Sequence, residues 1–509
     1  MGIIKRQSLK TSMVNYAGVL LGMAFFNFVF PHLLSEEYLG LIGLLQYMMY
    51  VLSPLPALGL AHVMYKYYST WKETDTLPQF NAFSILVMAV ASLLFAGLFF
   101  IFHEPILHFY KARSALFIPY YFLIIPLVVI QVYNQYFEMY CTMKLRVAFP
   151  AFLREIVSRL LLIILIFLFI YQFLSEKQFI YGLVLVYLLS LLILLFYTIR
   201  GLDFKAFSPL KYWQNNPKLK EQLGFGGGML LVSGLFSLHN FLDGILIPAF
   251  LGLGAFGIYA RPLVLGQMIH VPFRAISQIS LPIIREAWVQ GDLKKIRDLN
   301  KSTGLIIFLI GSFLFTLLVV SADALFLLLP EKYSIAKPVL YIIALGRLAD
   351  MAFGLNTEIL YASKYYRYIV YLSLVVVLMT IGLNFMLIPP YGMNGAAMAV
   401  SISLIIFNIL KTSLIYYKFN FHCFSRHYIT LLIISGLIIF LVSFIPDILF
   451  VKHHKFLNPC LNIFFRSGVA AVLFLIPVYV LQISKDFNDF VKLALSGKIF
   501  KGGHKMNEL

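Results

Sequence analysis

Apolar segments long enough to cross a bilayer as helices, about fourteen of them, run from one end of this chain to the other. They are expected near residues 11–34, 39–64, 80–103, 115–143, 151–173, 178–200, 223–250, 255–284, 302–329, 337–362, 366–389, 391–418, 427–450 and 464–484. In hydrocarbon the backbone must satisfy its own hydrogen bonds, so successive helices are the architecture this pattern permits. Only 12% of the 509 residues are charged and 61% are hydrophobic, whereas a soluble chain carries about a quarter charged. The reading is an all-α polytopic membrane protein, and soluble multi-domain classes are excluded.

The net charge of +18 takes its meaning from placement. Basic residues concentrate in the N-terminal tail, the even-to-odd connections and the C-terminal tail, with Lys5, Lys144, Arg200, Lys220, Arg285, Lys295, Lys418 and Lys505 among them. Far fewer lie on the other side, such as Lys111, Arg113, Lys177, Lys332, Lys452 and Arg466. That bias places both termini in the cytoplasm. The surplus charge then faces anionic lipid rather than nucleic acid. Cys141, Cys423 and Cys460 have no metal or redox spacing. The first apolar stretch is too long for a cleavable signal and is read as a retained span. No connection is large enough for a soluble domain, the longest outer one lying near Asp447 to Phe464.

The chain also echoes itself. Pro31, Leu34 and Gly40 recur as Pro248, Leu251 and Gly257 at an offset of 217 without a gap. Tyr140 and Arg146 recur as Tyr361 and Arg367 at an offset of 221. An offset covering six spans gives two copies of like orientation, a parallel repeat. The expected organisation is an N-terminal lobe (1–205, spans 1 to 6), a cytoplasmic linker (206–222), a C-terminal lobe (223–420, spans 7 to 12), two appended spans (421–484) and a basic tail (485–509). Lys485 to Leu509 alternates apolar and basic residues, as a surface-lying amphipathic helix does.

Arg159, Arg261, Arg274 and Arg347 stand out inside the spans. An Arg at a helix centre costs about 2.5–3.5 kcal/mol on insertion scales, so such groups are expected to face protein or a wet cavity. In span 8, Gln267, His270, Arg274, Gln278 and Arg285 form one stripe on a continuous helix, with Pro262 and Pro272 as bend points. Gln131, Asn134, Gln135 and Glu138 form another in span 4, and Arg347, Asp350, Asn356 and Glu358 a third in span 10. Span 7 adds Ser233, His239, Asn240 and Asp243. A hydrated, partly cationic chamber accounts for all four stripes. Local pairing is open beside it: Glu155 and Arg159 are i,i+4, and Arg347 and Asp350 are i,i+3. The glycine run 224–228 lacks the strand and the Lys-Ser/Thr of a phosphate loop and reads as a flexible entry to span 7. No nucleophile–base pair, paired carboxylate motif or Cys/His cluster marks a catalytic or metal site, so no enzyme activity and no cofactor is expected.

The run Asp243-Gly244-Ile245-Leu246-Ile247-Pro248-Ala249-Phe250-Leu251-Gly252, followed by Gly257-Ile258-Tyr259, resembles the seventh-to-eighth-span signature of bacterial polysaccharide flippases. Pro282 and Gly291-Asp292 after it fit the same pattern. The resemblance is to the oligosaccharide-lipid branch of the multidrug/oligosaccharidyl-lipid/polysaccharide exporter superfamily. It implies two six-helix lobes around a central cavity, in a bacterial inner membrane, moving undecaprenyl-diphosphate-linked sugar to the outer leaflet. It also implies that Arg261 and Arg274 receive the diphosphate and that Asp243 is a structural or coupling acid. Relatives often carry basic residues in spans 1 or 2, where this chain offers only Asn15, Asn27, Gln46 and Lys66.

The expected function is an O-antigen-type flippase working by alternating access. Gln267, His270, Gln278, Asn134 and Gln135 are the further cavity candidates, and Asp243, Glu138 and Asp350 the candidate coupling acids. Lipid-linked oligosaccharide, membrane lipid, and glycan polymerase or assembly proteins are the expected partners. The rivals are a drug/cation antiporter of the same superfamily and a membrane glycan polymerase or ligase.

Overall fold

The computed structural model describes residues 2–199, 209–446 and 456–495, and every regular element among them is a helix. Residues 200–208, 447–455 and 496–509, which include parts of the expected linker, outer connection and basic tail, lie outside the described residues. The chain divides into two compact units, Met1–Ala260 and Arg261–Leu509.

In the first unit the principal helices are α1 (Gly2–Gly22), α2 (Glu36–Leu52), α3 (Leu60–Glu73), α4 (Leu77–Ile101), α5 (Ile124–Met143), α6 (Ser158–Ile170), α7 (Glu176–Ile199) and α8 (Leu219–Leu251). The division falls within α9 (Leu253–Gln267). The second unit holds α10 (Val271–Gln290), α11 (Leu293–Val320), α12 (Lys337–Met351), α13 (Asn356–Ala362), α14 (Tyr366–Phe419), α15 (Arg426–Ser443), α16 (Leu457–Val480) and α17 (Lys485–Leu495).

Among the described residues, ten helices are long and apolar enough to cross a membrane, or eleven with the bent pair Glu331–Met351 and Asn356–Ala362 as one span. The expected count of fourteen is not established, and the difference sits at three places. The segments expected at 366–389 and 391–418 are two helices that meet at a kink within α14 and count there as one continuous stretch. The kink lies at Gly392 (φ 56°, ψ −133°), directly after Pro389-Pro390, in a conformation that only glycine adopts readily. The segment expected at 151–173 is interrupted by a π-helical turn at Leu153–Val157, leaving α6 only 13 residues long. The segment expected at 255–284 is broken by a 3₁₀ turn at Met268–His270.

The internal repeat has a structural counterpart in the first unit. A Cβ on Gly40 would stand 1.9 Å from the Leu253 carbonyl oxygen, and a Cβ on Gly257 2.0 Å from that of Glu36. Gly40 and Gly257 differ by the repeat offset, and so do Glu36 and Leu253. The contact is therefore reciprocal, as residues across a two-fold are. Only glycine allows backbones this close in a membrane interior. The helix α8, which the repeat assigns to the second lobe, packs in the first unit. Tyr47 and Tyr50 of α2 hold Phe241 between ring contacts of 5.1 and 5.2 Å.

Two sequence expectations need correction here. The glycine run 224–228 lies inside regular helix, because α8 already starts at Leu219. One of those glycines serves close packing: a Cβ on Gly226 would stand 2.9 Å from the Leu58 carbonyl oxygen. Part of the expected linker is helical as well. Pro209–Asn215 is helical, and Tyr212 is buried against Trp71, Phe80 and Phe83, donating to Gln222 Oε1 at 2.7 Å. At the far end, α17 is tied on by Asn488, whose Nδ2 donates to the Tyr479 carbonyl at 3.0 Å.

Candidate functional site

In the second unit, two helix breaks meet at one polar cluster. The first lies between α12 and α13, which are bent by 47°. A broken helix in hydrocarbon leaves backbone groups that need other partners. Asn300 of α11, almost fully buried, accepts the Leu355 N–H at 3.1 Å, and Cys423 Sγ lies 3.6 Å from the Ala352 carbonyl oxygen as its donor. The second break is the Met268–His270 turn before α10. Pro272 in the first turn of α10 lacks an N–H and crowds the carbonyl four residues back, which ends the helix that precedes it.

The breaks aim side chains at each other. His270 Nε2 lies 2.7 Å from Asp350 Oδ2, and both side chains are 12% exposed. Asn408 of α14 donates from Nδ2 to Asp350 Oδ1 at 2.7 Å. One turn on, Lys411 Nζ donates to Thr357 Oγ1 at 2.8 Å, and Thr412 Oγ1 accepts from Asn356 Nδ2 at 2.6 Å. Asn408, Lys411 and Thr412 thus share the i, i+3, i+4 face of α14 that meets α12 and α13. Ser277 of α10 donates to Glu358 Oε1. Glu358 is 7% exposed and its second oxygen, Oε2, has no hydrogen-bond partner. Lys411 is 4% exposed, with Nζ 4.3 Å from the Phe407 ring centre. Buried charges of this density are costly, which makes the cluster a candidate site.

The charges of the first unit are arranged otherwise. Arg154 bridges Glu138 at 2.7 Å and Glu155 at 3.0 Å, and Arg159 meets Glu155 at 2.7 Å. The local Glu155–Arg159 pair anticipated from spacing is thus present. Arg159 also donates to the Gly18 carbonyl, and the glycines at 18 and 22 leave room for Glu155 and Arg159 against α1. Asp243 is buried; Oδ1 accepts the Gly244 N–H and Oδ2 the Tyr259 hydroxyl, each at 2.9 Å. Gln135 Nε2 reaches Ser53 Oγ at 3.4 Å and lines a small pocket with His62, Tyr136 and Ser233. Asn134 is half-buried on α5.

The structure therefore sorts the sequence candidates. His270 and Asp350 come together, and Glu358 of the same stripe lies in their cluster. Arg274 and Gln278 are exposed on α10, Gln267 is half-buried, and Arg261 is 7% exposed and engaged. The span-8 stripe assumed an unbroken helix; the 3₁₀ turn changes its phase, so His270 turns inward while Arg274 does not. Sequence reading missed Arg154, Asn408, Lys411 and Thr412. Lys411 lies near the end of its expected span, where a lysine is read by default as snorkelling to the surface. Its signal was the polar triplet Asn408, Lys411 and Thr412 on one helix face.

Among the described residues, helices of this length and hydropathy define a multi-pass membrane protein. The chain belongs to the family described as polysaccharide biosynthesis protein, which matches residues 4–288. No curated protein matches it in sequence. Its fold is similar to that of the lipid II flippase MurJ in the inward closed conformation, at 15% identity and a TM-score of 0.69, covering 93% of this chain and 99% of that one. An inward-facing multidrug resistance MATE family transporter of the MOP superfamily aligns at 13% identity and TM-score 0.64, covering 79% and 94%. The Vibrio cholerae MATE transporter VcmN in the bent form aligns at 17% and 0.52, covering 82% and 98%.

Proposed function

We propose that this protein is a flippase that moves polyprenyl-diphosphate-linked oligosaccharide from the cytoplasmic to the outer leaflet of a bacterial inner membrane, for surface polysaccharide synthesis. The observation that carries the reading is the polysaccharide biosynthesis family match over residues 4–288. The fold shared with a lipid II flippase supports it. Both termini are cytoplasmic in this reading, and the two repeat lobes are the moving bodies of an alternating-access cycle. The polyprenyl tail stays in lipid while the headgroup crosses along a hydrated path.

Arg274, exposed on α10, takes the diphosphate by charge-assisted hydrogen bonds. Arg261 joins it only in a state that frees its buried guanidinium. Gln267, Gln278, Asn134 and Gln135 meet sugar hydroxyls. Of the three candidate coupling acids, Asp350 is the strongest, because it lies beside two helix breaks and faces a histidine, whereas Glu138 is paired with Arg154 and Asp243 is held by Gly244 and Tyr259. Glycan polymerase and assembly proteins act on the delivered product.

The multidrug antiporter reading has a related fold on its side, but the family match favours glycan. Deletion of the gene separates the readings. The flippase leaves lipid-linked glycan facing the cytoplasm, a polymerase strands it outside, and a drug antiporter leaves surface glycan unchanged. Arg274→Ala should cut surface glycan at normal protein level; unchanged export removes Arg274 from the mechanism.

A further inference from the structure

Three connections of the second unit meet at one end of it. Trp288 lies in the last turn of α10, Lys364 and Tyr365 lead into α14, and Lys418 and Phe419 end it. The Phe419 ring is 4.9 Å from Trp288 and 5.6 Å from Tyr365, which joins the three. Two lysines lean on one ring. Lys364 Nζ is 5.4 Å and Lys418 Nζ 5.2 Å from the Tyr365 centroid, and Lys418 Nζ is also 4.8 Å from that of Tyr417. All three connections are even-to-odd ones, the basic side of the chain, so their meeting agrees with the charge bias.

Rings set singly along a membrane boundary are anchors, and isolated lysines there reach for water or headgroups. This arrangement differs from both. The rings pack on one another, Lys418 is half-buried, and two like charges that repel are drawn to the same ring. Among the described residues no carboxylate lies within ion-pair distance of either ammonium, and ring faces are their partners. Glu286, two residues before Trp288, is engaged by Gln290 Nε2 at 3.2 Å instead. Trp288 keeps a buried Nε1–H without a hydrogen-bond partner. The cluster thus supplies cations and a donor and lacks an acceptor, so an anion completes it.

We propose that Lys364 and Lys418, on the Tyr365 ring, form a landing site for the diphosphate of a polyprenyl-diphosphate lipid, held there before it reaches Arg274. The chemistry is that of a multiply charged phosphoryl anion. Two ammonium groups on one ring match two adjacent phosphates, whose oxygens accept charge-assisted hydrogen bonds. A phosphodiester, as in an anionic phospholipid, carries one charge and satisfies one lysine. The prenyl tail keeps its diphosphate at headgroup level, where interfacial aromatic residues sit. Arg274 is on the same helix α10, roughly 20 Å from Trp288 along its axis, so the two positions are separate.

The proposal deepens the flippase reading and rests on it for the identity of the lipid. Its test reads equilibrium binding and not transport, so that either can fail alone. Native mass spectrometry of the full-length protein counts bound lipid, with polyprenyl diphosphate and phosphatidylglycerol as probes. Arg274→Ala is the parent, because it removes the deeper phosphate contact. This parent should bind polyprenyl diphosphate saturably and more tightly than phosphatidylglycerol, and inorganic pyrophosphate should compete. Lys364→Gln with Lys418→Gln should weaken diphosphate binding about a hundredfold, about tenfold for each lost contact, at unchanged Tm. Lys364→Arg with Lys418→Arg should hold it within a few-fold, and phosphatidylglycerol should hardly respond to either pair. A folded double glutamine variant that binds diphosphate as tightly as the parent overturns the proposal. Equal loss of both lipids also overturns it, since the site would then serve phospholipid headgroups. So does a parent without saturable diphosphate binding. Lysine-dependent binding by a protein that moves no glycan would leave the site standing and remove the flippase reading.

Discussion

The two units treat the charges on their helices in opposite ways. In the first, Glu138, Arg154, Glu155 and Arg159 close a neutral ladder of carboxylate–guanidinium pairs. In the second, Asp350, Glu358 and Lys411 come from three helices and His270 from the turn before α10, around two breaks, and one carboxylate oxygen is left open. A closed ladder has nothing left to give an ion or a substrate, so its role is to hold helices together. An incompletely satisfied cluster is stable only while its surroundings over-determine it, and it can respond to a proton. Removing one member should therefore cost stability in the first unit and activity in the second.

The comparison breaks most violently at the backbone contact under the first unit. Gly40→Val or Gly257→Val should leave no monodisperse protein in fluorescence-detected size exclusion, because the added atoms would meet a carbonyl oxygen that cannot move aside. Next in size is Arg159→Ala, which takes the donor from Glu155 Oε2 and from the Gly18 carbonyl and leaves Glu155 with Arg154 alone; it should cost about 2–3 kcal/mol, read as a lowered Tm. The double variant Glu155→Gln/Arg159→Met, which removes the pair as a unit, should recover part of that loss. In the second unit, Asn408→Leu leaves Asp350 Oδ1 without its donor and should cost about 1–3 kcal/mol. Glu358→Gln keeps the Ser277 hydrogen bond and should leave Tm unchanged or higher, while transport falls roughly tenfold or more, about 1.4 kcal/mol in barrier. If Glu358→Gln unfolds the protein and Arg159→Ala stops transport at full stability, the contrast is inverted. The smallest effect concerns Cys423, in the connection between α14 and α15. Burial pushes its thiol up to about 11, so it stays neutral below that pH and is protected. Maleimide labelling at pH 8 should run roughly a hundredfold below that of a free thiol.

Much of this was legible in the sequence, for physical reasons that can be named. Hydropathy and length find helices because hydrocarbon leaves the backbone no alternative, and most of the expected spans have a helix. The offset of 217 found the Gly40 and Gly257 pair before any geometry was known. Polar stripes found Asp350, Glu358 and His270, since spacing marks a helix face. Extrapolation failed where helices break. Periodicity assumes constant phase, so Arg274 and His270 were placed on one face that the turn at Met268–His270 divides. Tertiary partners were invisible as well: nothing in the spacing tells that Asn408 and Lys411 of α14 complete the stripe of span 10. The glycine run 224–228 looked like a hinge because composition does not show what a neighbouring backbone requires of a helix.

The central claim is that the folded chain moves a lipid-linked glycan across a bilayer. Purified protein reconstituted in liposomes that carry a polyprenyl-diphosphate oligosaccharide on one leaflet tests it directly, with periodate access to the sugar as the readout. The account predicts that sugar reaches the opposite leaflet with the wild type, and much more slowly with Arg274→Ala and Glu358→Gln. Sugar that stays on its starting leaflet with folded wild-type protein, as in empty liposomes, contradicts it.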